Sequence, residues 1–110
     1  MDHIRTWQDG RFTLDLWDTH KTDDYGKSIL YYQFKHDAVL IFEGSDYCVG
    51  AATAIDSDEA VASLLGFFAC CPGDADDEYF DKYTARQIEW RDEHAEDLSM
   101  IVCIMEEAQP

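Results

Sequence analysis

A chain of 110 residues with 46% hydrophobic and 14% aromatic side chains is about one domain long and holds enough apolar material for a core, which excludes a disordered acidic tail. Its 24 acids against 8 bases leave a formal net charge of −16, which repels nucleic-acid phosphates and anionic membranes and attracts basic surfaces. No apolar run approaches the roughly 20 residues that span a bilayer, and MDHIRTWQDG lacks the apolar stretch of a signal peptide, so a soluble cytoplasmic protein is expected.

The first half reads as strands. In RFTLDLW, Phe12, Leu14 and Leu16 alternate with Thr13 and Asp15, the period of a half-buried strand. The polar DTHKTDDYG that follows has turn chemistry. KSILYYQFKH and AVLIFEG are rich in β-branched and aromatic residues and meet at His36 and Asp37, which predicts a tight hairpin. Residues 47–55, YCVGAATAI, add a short fourth strand weakened by Gly and Ala.

The period changes in the second half. Asp56 and Glu59 have the spacing of a capping box, and Val61, Leu64, Leu65 and Phe68 form one face of the helix that follows, ended by CPG. A helical turn is expected over DEYFDKY, and Thr84 with Gln87 repeats the capping signature before a longer helix. On that helix Ile88, Ala95, Leu98 and Val102 share one side, and Glu89, Glu93, Glu96 and Asp97 share the other. Residues 99–105, SMIVCIM, are apolar all round, so they are a buried helix end, a buried strand or a homodimer contact. The expected fold is a single α+β domain over 1–110: a three- or four-stranded antiparallel sheet packed against two or three C-terminal helices.

Motifs for chemistry are absent from the sequence. It has no glycine-rich phosphate loop, no G-x-S-x-G and no H-E-x-x-H. His3, His20, His36 and His94 lie beside turn or charged residues and read as solvated. Cys48, Cys70, Cys71 and Cys103 are too few and too irregular for a disulfide framework or a C-x-x-C zinc site, and the adjacent Cys70 and Cys71 read as buried or half-buried thiols at a helix end. A calcium loop starting at Asp74 would need Gly at its sixth position and Glu at its twelfth, where Tyr79 and Ala85 stand. Tyr31, Tyr32 and Phe34 resemble a base-stacking platform, but without a basic groove they read as core and cross-strand pairs. No catalytic residue, metal ligand or cofactor is expected, and the chain reads as a binding protein.

The charge is unevenly spread. Residues 1–55 carry 9 acids and 5 bases, and residues 56–110 carry 15 acids and 3 bases. Ten acids fall within residues 74–97, where Lys82, Arg86 and Arg91 are the only cations. Glu89 with Glu93, and Glu93 with Asp97, are like-charge pairs one turn apart that cost a helix about 0.2–0.5 kcal/mol each. An ordinary solvated face would balance them with Lys or Arg. Adaptation to high salt would spread acids over the whole surface instead of concentrating them. A row of carboxylates about 6 Å apart along a helix axis suits a basic groove that normally holds phosphates. The expected partner-binding residues are therefore Asp74, Asp76, Asp77, Glu78, Asp81, Glu89, Glu93, Glu96 and Asp97. Tyr79, Phe80, Tyr83 and Trp90 interleave with them, and Tyr83 and Trp90 are either packed anchors for a partner or core.

The segments DTHKTDDYGKSILYY and AIDSDEAVASLLGFF, followed by EYFDKYTARQIEW, resemble small acidic proteins of phages and mobile elements. The resemblance is to a class that includes anti-CRISPR and anti-restriction inhibitors, some of which imitate nucleic acid in charge. It implies a non-enzymatic inhibitor in the host cytoplasm, acting on an RNA-guided defence nuclease whose guide–target duplex lies in a positive channel. It assigns no residue a role. An immunity protein or antitoxin against a basic nuclease toxin, and an acidic housekeeping interaction domain, are the alternatives.

Overall fold

In a computed structural model of the chain, residues 1–50, 52–69 and 85–108 are described. They have an α+β architecture. Four antiparallel strands, β1 (Asp2–Asp9), β2 (Phe12–Thr22), β3 (Ser28–His36) and β4 (Val39–Val49), form one sheet in the order β1-β2-β3-β4. Two helices follow, α1 (Asp58–Phe68) and α2 (Ala85–Glu107). The chain divides into two compact units, Met1–Val61 and Ala62–Pro110, and each is taken by itself.

In the first unit, alternation along the strands gives the sheet one buried face. Trp7, Leu14, Leu16, Leu30, Tyr32, Phe34 and Phe42 are all buried, and the register aligns Leu14, Phe34 and Phe42 across β2, β3 and β4. The Phe34 ring stacks near Phe12 at 5.9 Å and tilts toward Phe42 at 6.2 Å. Tyr31, one residue out of phase with Tyr32, takes the opposite face and packs at 5.2 Å from Trp17. The three aromatic residues read together in the sequence are thus divided between two faces by the pleat.

Two-residue loops close the outer hairpins. Gly10 has φ 57 at the first central position between Asp9 and Phe12, the conformation a type II′ turn demands and glycine adopts without steric cost. Asp37 and Ala38 have φ 52 and 65 between His36 and Val39, a type I′ loop. The tight hairpin expected at His36 and Asp37 is present. Alanine in the left-handed region costs roughly 1–2 kcal/mol. Replacing Ala38 with glycine, after its greater unfolded-state entropy is set against that strain, is expected to stabilise the fold by about 0.5–1 kcal/mol. A thermal melt should show this as a rise of roughly 3–6 °C, and a lowered melting temperature would contradict the loop assignment.

Three strand readings are corrected. Residues 2–9 form an edge strand that the sequence reading left without structure. The stretch 18–22, expected as a turn, continues β2, which swings past an irregularity between Asp18 and Lys21 and pairs Thr22 with Ser28. His20 sits at this point with φ 59, its N–H donating to Asp18 Oδ1 at 2.8 Å. The turn itself is confined to 23–27, where Asp23 Oδ1 accepts from the Tyr25 and Lys27 amides at 2.9 and 2.8 Å. The Lys27 amide is the main reason that the Asp23 carboxyl titrates below its ordinary value. Finally, the separate fourth strand at 47–55 does not exist as such: 47–49 are the end of β4, which runs through Gly44 by means of a register shift against β3. A side chain at Gly44 would start 3.0 Å from the Tyr32 hydroxyl, so glycine lets the Tyr32 ring lie close to the strand.

The start of α1 is tied to the sheet within this unit. Ala60 joins Leu30 and Val49 in a buried cluster with Ile4 and Ile55 against it. Arg5 of β1 donates to the Asp56 carbonyl at 2.8 Å and to the Asp58 carboxylate. The helix cap is Ser57, whose Oγ accepts from the Ala60 amide at 3.2 Å while its carbonyl accepts from Val61. The capping box expected at Asp56 and Glu59 is therefore displaced by one residue: Ser57 has the shorter oxygen that reaches the third amide of the helix.

In the second unit, Leu64, Leu65 and Phe68 of α1 have no exposed surface, and the apolar face read from their spacing is buried. The CPG terminator, the turn over DEYFDKY, and Thr84 of the second capping box lie outside the described residues. On α2, Ala95 and Leu98 are buried and Ile88 and Val102 half-buried, as expected; Trp90 and Arg91 are buried beside them. Residues 99–105 are helix, not strand. Among the described residues no helix is long and apolar enough to cross a membrane.

Candidate partner-binding surface

Of the nine residues expected to meet a partner, Asp74, Asp76, Asp77, Glu78 and Asp81 lie outside the described residues. Glu89, Glu93, Glu96 and Asp97 are all on α2, all exposed, and on one side of it. The helix places them there because its packed positions, Trp90, Ala95 and Leu98 with Arg91, recur on the other side at three- to five-residue spacing. Asp92 adds a fifth exposed carboxylate to this side, which the sequence reading did not include. Among the described residues no ion pair involves an α2 acid.

Of the two arginines on this helix, only Arg86 is exposed. Arg91, counted in the sequence as balancing charge, is 1% exposed. Its Nη2 donates to the Phe67 carbonyl at 3.1 Å and its guanidinium lies 5.5 Å from the Phe67 ring centre. Phe67 is in the last turn of α1, which has no basic residue of its own there. Arg91 thus caps the end of α1, supplying a donor and a positive charge where orphan carbonyls and the helix dipole are negative. Trp90, open between core and partner anchor, is core: it is 9% exposed and stacks with His94 at 4.5 Å.

The histidines are not simply solvated. His94 donates from Nδ1 to the Trp90 carbonyl at 2.9 Å. His36 stacks on Phe12 at 4.9 Å. His20 pairs with Asp2 through Nε2 at 2.7 Å. His3 packs edge-on against Trp17 and lies 3.0 Å from Asp15 Oδ1 and 3.1 Å from Thr6 Oγ1. That last group, on the sheet face that carries Trp17 and Tyr31, brings a hydroxyl, an imidazole and a carboxylate together and could not be seen in the sequence. It is not a nucleophile relay, in which the acid and the hydroxyl occupy opposite ring nitrogens. Here both approach Nε2, and the Thr6 hydroxyl donates to Asp15 Oδ1. The same face holds Tyr31, which donates to Glu43 at 2.9 Å and accepts from Gln33 at 2.9 Å.

Among the described residues no three His, Cys, Asp or Glu side chains are placed to hold a metal ion. Cys48 is a half-buried thiol and Cys103 an exposed one, and Cys70 and Cys71, expected as buried or half-buried, lie outside the described residues. What the arrangement on α2 can do is electrostatic: a helix of 23 residues, about 34 Å long, presents five exposed carboxylates over its first half beside a single exposed cation, Arg86. Compared with protein families, curated proteins and solved structures, the chain matches none of them.

Proposed function

We propose that the chain is a non-enzymatic inhibitor that occupies a basic nucleic-acid-binding surface of another protein through the outward face of α2. The target class proposed is an RNA-guided defence nuclease, on the strength of the chain's resemblance to small anti-defence proteins. The observation that carries the proposal is the row Glu89, Glu93, Glu96 and Asp97, exposed on one side of a helix whose neighbouring arginine is turned inward. Like-charge pairs one turn apart destabilise a helix. Such a row is favoured only where a cationic partner offsets the repulsion. A groove that binds phosphates by lysine and arginine is that partner, and its own affinity for nucleic acid is the quantity the chain would compete away.

The test replaces Glu89, Glu93 and Glu96 by Gln and Asp97 by Asn together and measures binding to a guide-loaded nuclease and its inhibition of DNA binding. At about 50 mM salt, where the Debye length is roughly 14 Å, the parent should bind and the variant should bind at least about a hundredfold more weakly. Raising salt should weaken the parent steeply and the variant little. Affinity unchanged by both manipulations would defeat the electrostatic reading. Capture of a basic nuclease toxin in place of the guide-loaded enzyme would overturn the target.

A further inference from the structure

The outward face of α2 does not end at Asp97. Residues three and four apart on a helix share a side, so the steps from Glu93 to Asp97, Met100 and Ile104, and on to Glu107, keep to the same one. Met100 is 67% exposed and Ile104 61% exposed, and Cys103 beside them is exposed too. The apolar residues of the same two turns that face the other way, Ile101, Val102 and Met105, are half-buried. One continuous stripe is therefore acidic over the first half of the helix, apolar over the next two turns, and acidic again at its end. Single exposed apolar side chains are ordinary on a surface; two large ones a turn apart, in line with a carboxylate row, are not.

We infer that this stripe is a bipartite docking surface for a basic amphipathic segment of the partner, with its lysines or arginines against residues 89–97 and its apolar side chains over Met100 and Ile104. The inference rests on the proposed function and deepens it by naming the kind of segment bound and the anchor that holds it. Charge complementarity selects the occupant. A second copy of this chain, the homodimer expected from residues 99–105, would bring Asp97, Glu106 and Glu107 against the same three acids. The one exposed cation of residues 85–108, Arg86, is about 21 Å along the axis from Met100 and too distant to relieve them. A basic partner gains at the acidic part of the stripe by attraction and at the apolar part by removing Met100 and Ile104 from water. The two gains respond oppositely to salt: ions screen the first and leave the second in place.

Two synthetic probes separate them, an amphipathic Leu/Lys peptide and an equally charged Lys/Gly peptide. The parent should bind both at low salt, and at about 0.5 M NaCl it should keep the Leu/Lys peptide and lose the Lys/Gly peptide. Replacing Met100 and Ile104 with Ser should weaken the Leu/Lys peptide about tenfold and leave the Lys/Gly peptide unchanged. Because both positions are exposed, circular dichroism of the variant should match the parent. M100K is a second variant that keeps helix propensity and should weaken both peptides by repulsion. Undiminished Leu/Lys binding by the serine variant overturns the inference alone. The proposed function fails separately, when the four-carboxylate variant binds both peptides as the parent does. A concentration-dependent dimer of the parent, abolished in the serine variant, would make a second copy the occupant and overturn the inference as well.

Discussion

Truncating Phe34 to alanine is expected to remove about 3–5 kcal/mol of stability. Phe34 is on β3, an inner strand, with no exposed surface; Leu14 and Phe42 are its cross-strand neighbours, and the Phe12 and Phe42 rings lie against it. The loss has two parts, the transfer of the ring back to water and the cavity left among neighbours held by the sheet ladder. Since a domain of this size is stable by only about 5–15 kcal/mol, F34A should unfold at much lower denaturant concentration or fail to fold at 37 °C. F34L, which keeps most of the volume, should lose under about 1.5 kcal/mol. Tyr25, an aromatic residue of the same unit that is 89% exposed, is the control, and its truncation should stay within about 0.5 kcal/mol. Urea unfolding of the three variants decides the matter. An F34A loss no larger than that of Y25A would mean that this face of the sheet is not a packed core.

The second large effect is expected at Arg91. Alanine there loses the packing of a long stem, the stacking over Phe67 and the donor to the Phe67 carbonyl, which is left to the end of α1 without that cap. The expected cost is about 2–4 kcal/mol, most of it in the second unit, and hydrogen exchange should show the last turn of α1 opening first. Lysine retains charge and most of the stem but lacks the planar fork, so it cannot stack and donate at once; R91K should lose about half as much. If Arg91 were a surface counter-ion, as its place in an acidic stretch suggests, R91A would cost at most about 1 kcal/mol and the loss would vanish in high salt. Denaturant curves at low and high salt distinguish these outcomes.

Three of the four strands were readable because period-two alternation survives in RFTLDLW and because KSILYYQFKH and AVLIFEG are rich in β-branched and aromatic residues. The edge strand β1 was not, because DHIRTWQD buries only Trp7 and gives no alternation to see. Its signal was the Gly10-Arg11 pair just before an alternating run, a Gly-X dipeptide that suits a two-residue type II′ hairpin, which requires a strand on both sides. The extension of β2 to Thr22 and the union of 39–49 into one strand were hidden for a different reason. Local composition there favours turns, and the ladder to β3 overrides it by accommodating extra residues as irregularities. On α2, the separation of Glu89, Glu93, Glu96 and Asp97 from Ala95 and Leu98 followed from spacing alone. Trp90 and Arg91 resisted because a bulky aromatic and a long cation each suit surface or interior, and composition does not choose.

The sequence by itself determined the fold class, the apolar faces of both helices, and the sign and location of the charge. These follow from periodicity and composition, which are properties of the chain and hold wherever its elements settle. Tertiary structure alone decided which ambiguous residues turn inward. The 99–105 run is apolar all round, so any of its sides could pack. It is the place of α2 in the fold that half-buries Ile101, Val102 and Met105 and leaves Met100 and Ile104 in line with the carboxylates. The same holds for Arg91, whose charge is written in the sequence but whose burial against Phe67 depends on two helices far apart in the chain being brought together.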